Sequence, residues 1–327
     1  MKKSVLLASS LFMLAGLFVG GCKKDNGPDD NLAPSGVTNE EQAMTYFAKN
    51  DEFVTNDEVT FADASMQPFD YGTFGKVDAI VSPIRWGRFV TSVTRTVTTV
   101  VQPGDTLAYS HIDKTIVGTL KIRATTAGGD SITIEKPFTN QAVRNVIFKR
   151  VSRETKRFWL NWVPVATSLV EGGTAIPNNT VNITKLVFYL ANNDTVTVVD
   201  PEQYYLRYRW LKLFNGGKKD VPELVAGQPV KLEVTVVSAS ADTDLVALRF
   251  GFEGGNKKRA KLALASEVNN GDGTYTRVFE VSKAAPLFVH FHQGAFNMGV
   301  EAMTKATLFD DQAPYSVSWW GIPYRVF

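Results

Sequence analysis

Several stretches of this 327-residue chain alternate apolar and polar residues at every second position, the period of a half-buried β-strand. The alternation is cleanest late in the chain. Val230, Leu232, Val234 and Val236 share one side and Lys231, Glu233 and Thr235 the other. Val246, Leu248, Phe250 and Phe252 repeat the pattern opposite Ala247, Arg249 and Gly251. Asn270-Gly271-Asp272-Gly273 has the chemistry of a tight hairpin turn, and Tyr275, Phe279 and Val281 follow with the same period. Further strands are expected at 287–292, 298–308 and 315–326.

Upstream, residues 88–101 are dense in Val and Thr, which suit a pleated surface. Gln102-Pro103-Gly104-Asp105 predicts a turn, and the return stretch 106–123 puts Ile116, Leu120 and Ile122 opposite Lys121 and Arg123. Strands are also expected at 131–135, 185–190 and 195–199, the last two as a hairpin, and at 204–213. In that last segment Tyr204, Leu206, Tyr208 and Trp210 share a face, with Tyr205, Arg207 and Arg209 opposite.

One helix is predicted. Thr38 would cap it, with Glu41 three residues on completing a capping box; Met44, Phe47 and Ala48 form its apolar face, and it ends near Asn50. Asn215-Gly216-Gly217-Lys218-Lys219-Asp220 has the composition of a linker. The fold expected is mainly β: two β-sandwich-like domains, the first at 39–215 with the short N-terminal helix, the second at 216–327. Ala226-Gly227-Gln228-Pro229-Val230 and Gly271-Asp272-Gly273-Thr274-Tyr275, each entering a strand, resemble bacterial immunoglobulin-like domains. The resemblance implies an Ig-like second domain with adhesion, spacing or display roles and no catalytic residues. The cysteine pair and the strand-C tryptophan of antibody domains are absent.

The first 22 residues carry an address. Lys2 and Lys3 precede an apolar run from Val5 to Val19, followed by Gly20-Gly21-Cys22. A charged start, a short apolar stretch and small residues before a cleavage point read as a secretory signal peptide over 1–21. The run is shorter than the roughly 20 residues a spanning helix needs. Val19-Gly20-Gly21-Cys22 resembles the lipobox of bacterial lipoproteins, which implies cleavage before Cys22, a diacylglyceryl thioether on its sulfur and acylation of the new amine. Residue 23 is Lys and not Asp, and the resemblance to the sorting rule of lipoproteins in two-membrane bacteria then implies the outer membrane, on its periplasmic side or at the cell surface. Residues 22–38 are polar and turn-rich, and read as a lipidated flexible tether.

The leader also changes the charge balance. The whole chain has 35 basic and 33 acidic residues, and Lys2 and Lys3 belong to the leader, so the remainder is balanced. Nucleic-acid binding draws on a strong positive field, so it is not expected. Local basic clusters lie at Lys149, Arg150, Arg153, Lys156 and Arg157, and at Lys257, Lys258 and Arg259. Cys22 is the only cysteine, so no disulfide can support the fold.

No nucleophile elbow, zinc-protease, phosphate-loop or dinucleotide motif is present. His290 and His292 would share a strand face about 7 Å apart, which makes them weak metal-site candidates without a local third ligand. Asp310-Asp311, and Asp242 with Asp244, read as solvated turn acids. Trp159, Trp162, Tyr205, Trp210, Trp319 and Trp320 are the candidate ligand-binding rings, since flat aromatic surfaces stack on sugars or anchor protein partners. If Trp319 and Trp320 lie on a strand, they must face opposite ways. Asp105-Thr106-Leu107, Asp130-Ser131-Ile132 and Asp194-Thr195-Val196 resemble an O-glycosylation site of some two-membrane bacteria. The expectation is a non-enzymatic, membrane-anchored lipoprotein without a cofactor, with a protein or glycan partner. A surface glycan-binding protein is the alternative, and a hydrolase or metal protein is a more remote one.

Overall fold

Three long strands organise the chain. The computed structural model describes residues 34–51, 54, 55, 61, 64, 80–126, 129–175, 179–190, 195–207, 223–224, 227–250, 258–284 and 296–326. The protein is mainly β, with two sheets and a short N-terminal helix. Strands β1 (Ile80–Val101), β2 (Leu107–Thr126) and β3 (Ser131–Arg150) form an antiparallel meander. At about 3.4 Å per residue, each is on the order of 70 Å long. Every second residue of β2 is buried from Ala108 to Ala124, so one face of the meander is covered along its length. A bulge in β1 between Val90 and Ser92 lets its inward set change parity, from Trp86 and Arg88 to Val93 and Val97. Gly118 lies opposite that bulge, where a Cβ would come within 2.7 Å of the Phe138 ring.

Along its far edge β3 pairs with β4 (Trp162–Ser168) near its end and with β5 (Val170–Thr174) nearer its middle. The sheet continues through β16 (Val317–Val326), β15 (Phe296–Met303) and β11 (Leu245–Phe250) to β12 (Lys258–Lys261). β8 (Tyr205–Arg207) pairs with β4, and β9 (Glu223–Leu224) runs parallel to β16. The large sheet curls until its ends meet. Arg259 on β12 donates to the Trp86 carbonyl on β1 at 3.0 Å, and its guanidinium lies 3.7 Å from the Trp86 ring centroid.

The second sheet has the order β13-β14-β10-β6-β7. Its strands are β6 (Val181–Tyr189), β7 (Thr195–Val198), β10 (Pro229–Ser238), β13 (Ala263–Asn269) and β14 (Tyr275–Ala284). Leu186, Phe188, Val234 and Phe279 on this sheet meet Val246, Met298, Val300, Trp320 and Ile322 on the large one, so the two pack as a sandwich. The opposite face of β11, β15 and β16 points into the curl, where Leu245, Ala247, Met303 and Trp319 join Trp86, Ile116, Leu120 and Phe138.

Two expectations are corrected here. The division at 215/216 does not separate the sheets, because β6 pairs with β10 and β5 pairs with β16, each pairing crossing that point. The edges of β10 and β16 would otherwise expose unpaired backbone groups, and strands from the first half satisfy them. Residues 298–308 are not one strand: β15 stops at Met303, and a short helix α2 (Lys305–Phe309) follows, burying Leu308 and Phe309 in the curl. The linker residues 215–220 lie outside the described residues.

Helix α1 (Glu40–Asn50) forms where expected, but its cap is shifted by one residue. Asn39 accepts from the Gln42 backbone N–H at 2.8 Å, and the Gln42 side chain reaches back to the Thr38 N–H at 2.8 Å. Met44 and Ala48 pack on Ala108, Ile112, Val146, Phe148 and Trp162, with Phe47 meeting Phe148 edge to face at 5.5 Å. Each such large apolar side chain contributes about 1.5–3 kcal/mol when fully buried.

Candidate functional site

The inner face of the long strands is not purely apolar. Arg88 (β1), Arg249 (β11) and Glu301 (β15) meet inside the curl, all essentially inaccessible to solvent. Both nitrogens of the Arg88 fork engage the Glu301 carboxylate, and Arg249 Nη2 lies 2.8 Å from Glu301 Oε2. Arg88 Nε donates to Tyr315 Oη at 2.8 Å, and its guanidinium lies 4.4 Å from the Phe61 centroid. Arg249 Nη1 donates to the Phe61 carbonyl at 3.2 Å. Further along the same face, Lys114 and Arg144 both donate to the Val54 carbonyl, at 3.0 and 2.9 Å. Buried ions need partners of this kind, because leaving water costs several kcal/mol per ion. These contacts fasten residues 54 and 61 to the strands. A network so enclosed orders the interior.

A cavity of about 560 Å³ opens beside β3 and the loop after α2, with Val117, Phe138, Thr174, Pro314 and Tyr315 in its walls. The Phe138 and Tyr315 rings stack at 5.0 Å. Lys136 also borders it, but its ammonium is spent on the carbonyls of Ala306, Asp310 and Ala313. Burial lowers the Lys136 pKa, against the opposing pull of Asp310 and Asp311. Glu135 is paired with Lys121 at 2.7 Å. Asp311 also lines the cavity, so it gathers Glu135, Lys136 and Asp311, of which the first two are held by the partners named above.

The best-built polar cluster at the molecular surface lies where α1 begins. The Glu40 carboxylate accepts from Arg150 at 2.9 and 2.7 Å, from Asn161 at 2.5 Å and from the Trp162 indole at 2.8 Å. Arg150 also reaches Asp105 at 2.6 Å and lies 4.5 Å from the Trp162 ring. Burial works against ionisation of Glu40, but the hydrogen bonds from Arg150, Trp162 and Asn161 outweigh it and hold its pKa below the ordinary value. This cluster joins three segments far apart in sequence: the helix start, the β1–β2 turn and the loop from β3 to β4.

The aromatic candidates divide sharply. Trp162, Trp319 and Trp320 are buried, so they cannot stack on an external ligand. The two neighbours on β16 do face opposite ways: Trp319 stacks on Phe61 at 5.0 Å inside the curl, and Trp320 fills the sandwich. Tyr205 and Trp159 are half-buried, the latter in the 3-10 turn Phe158–Leu160. Trp210, His290, His292 and Cys22 lie outside the described residues. No group of three or more metal-ligating side chains occurs among the described residues. His111 pairs with Asn145 at 2.7 Å on the outer face of β2. Asp244 was expected to be solvated; instead it is buried, 2.7 Å from Arg277 and 2.9 Å from Ser238. Thr106, Ser131 and Thr195 each sit exposed at or next to the start of a strand.

Sequence reasoning missed Arg88, Arg249 and Glu301 altogether. Their separation of up to 213 residues leaves no local signal. No family model, no curated protein and no solved structure matches the chain.

Proposed function

We propose that this chain is a lipoprotein held at the outer membrane through acylated Cys22, with a non-catalytic structural or interaction role. The observation that carries the reading is the leader itself: two lysines, a short apolar run and Val19-Gly20-Gly21-Cys22 coincide at the one cysteine of the chain. No helix among the described residues is long and apolar enough to cross a membrane; a lipid on Cys22 is an attachment that needs none. The enclosure of Arg88, Arg249 and Glu301 supports the non-catalytic role, since catalytic groups must reach a substrate.

The second half is read as Ig-like. Between 229 and 326, three strands take the order β13-β14-β10 in one sheet and four take β16-β15-β11-β12 in the other. That distribution suits the two-sheet order of an immunoglobulin sandwich with one added strand, extended here by β6 and β5. The glycan-binding alternative loses three of its rings to the core.

Metabolic labelling with an alkynyl fatty acid tests the anchor. The wild-type protein takes up label and sediments with membranes; Cys22→Ser takes up none and is released. Equal labelling of both would contradict the reading.

A further inference from the structure

β3 is flanked on both sides for most of its length, but not at its start. Its far edge meets β4 at 146–150 and β5 at 140–143, and the Thr139 carbonyl accepts the Ala175 N–H at 3.1 Å. Among the described residues, 131–138 pair with β2 alone. Backbone groups of a strand turn to alternate sides. The Asp130 carbonyl accepts the Thr126 N–H on the β2 side, and Thr139 bonds on the other. Ser131, Thr133 and Glu135 share the parity of Thr139, so each directs its N–H and C=O away from β2. All three residues are exposed.

Natural sheet edges are blunted by Pro, Lys, bulges or short length. Residues 131–135 have no Pro and no Lys, and they pair with β2 without a bulge. Ile and Thr among them are strong strand formers. Blunting begins at Pro137, of the same parity, which removes the next outward N–H.

The segment is complementary to itself. Two copies related by a two-fold axis at Thr133 set Ile132 opposite the partner's Ile134, Thr133 opposite Thr133, and Glu135 opposite Ser131. The half-buried Ile132 and Ile134 would then cover one another across the axis. No like charges stand directly opposite. Asp130 falls opposite Lys136, a gain that Asp310 and Asp311 beside Lys136 partly offset. Neighbouring registers fit less well. An axis at Ile132 sets Ile134 against Asp130, one at Ile134 sets Ser131 against Pro137, and one at Glu135 sets two carboxylates face to face.

The Thr133 register also finds room where the partner's chain turns away. The partner's Gly129, at φ 89°, falls opposite Pro137. Pro137 lines the cavity of about 560 Å³, with Thr139, Thr174 and Pro314 among its other walls.

We propose that residues 131–136 of β3 form a dimerisation edge, joining two copies of this chain through an antiparallel ladder centred on Thr133. Three hydrogen-bonded pairs give about six backbone bonds across the axis. A ladder this short is smaller than a standard interface, so the dimer is weak and covalent capture is the suitable readout.

The full protein is oxidised mildly in its membranes and its dimers are separated without reductant. Thr133→Cys sets two residues about 5.5 Å apart at Cα, within the range of about 4.4–6.8 Å that a disulfide spans. Ser131→Cys sets them about 14 Å apart. At least five-fold more reducible dimer from Thr133→Cys than from Ser131→Cys is expected. Ser131→Cys co-expressed with Glu135→Cys should yield a mixed dimer that neither gives alone. Adding Thr133→Lys to both chains, which puts two ammonium groups on the axis, should abolish it. Positions 131, 133 and 135 are exposed, so these changes leave the core intact. No dimer from Thr133→Cys, or equal dimer from 131 and 133, overturns the pairing. The pairing does not rest on the anchor. Wild-type protein should give no dimer, because its one thiol is acylated. A wild-type dimer overturns the acylation alone, and the same variants are then read in Cys22→Ser.

Discussion

Glu301→Gln removes a carboxylate that Arg88 and Arg249 share inside the curl, while keeping the side chain's volume. Arg88 is 1% exposed, and Arg249 and Glu301 3% each, so water cannot take over the lost interactions. The amide accepts at one oxygen only, and its NH₂ group faces a guanidinium. Breaking a buried ion pair by removing one partner costs about 3–5 kcal/mol. Unfolding entropies near 2.1 cal/mol/K per residue, over about 290 residues, turn a cost of about 4 kcal/mol into a fall in Tm of roughly 7 °C. Urea unfolding followed by tryptophan fluorescence is a suitable assay, because Trp86 lies 5.2 Å from Arg88 and 5.1 Å from Arg249. A second variant separates the cost of a stranded charge from the net contribution of the network. Arg88→Met, Arg249→Met and Glu301→Leu together should recover most of the loss, since well-packed apolar replacements of buried ion triads are often neutral or stabilising. A loss below about 0.5 kcal/mol for Glu301→Gln would refute the reasoning. So would a triple variant no better than the single one.

Gly172→Val should destabilise by about 3 kcal/mol or more, because a Cβ at that position would sit 2.5 Å from the Trp319 ring in a filled core; thermal melts check it. Trp162→Phe should cost about 1–3 kcal/mol through the lost indole bond to Glu40, read from the urea midpoint. Glu40 has a lowered native pKa, so its stabilisation is fully present above the ordinary value of 4.5 and is lost as pH falls through the native value. Glu40→Gln should therefore be less stable than wild type at neutral pH and converge with it in acid, as measured by urea midpoints across that range. A constant gap at every pH would contradict the assignment.

What the sequence reveals depends on which side of a strand meets the core. β10 was legible because one face is apolar throughout, from Leu232 to Val236, and the other carries Lys231 and Glu233. β2 was legible for the same reason over most of its length. β3 was read as five residues, although it runs for 20, because its inward positions include Lys136, Asn140 and Arg144. Polar residues that face a buried network break the alternation that marks a strand. β11 showed the opposite failure. Its alternation suggested one wet face, yet Ala247 and Arg249 are as enclosed as Val246. The helix α2 spans five residues, too few for a 3.6-residue period to show. The domain division failed because Asn215 to Asp220 has the composition of a linker, while composition holds no information on which strands pair across it. The tip cluster was half legible. Its basic residues and Trp159 stood out in sequence, but Glu40 and Asp105, which tie them to the helix and the hairpin, come from 45 or more residues away.

The central claim is a covalent one, and mass spectrometry of the protein isolated from membranes tests it most directly. The account predicts an N-terminal peptide beginning at Cys22 that carries a diacylglyceryl thioether and an amide-linked acyl chain. A peptide with an unmodified Cys22, or with residues 1–21 still joined to it, would contradict the account.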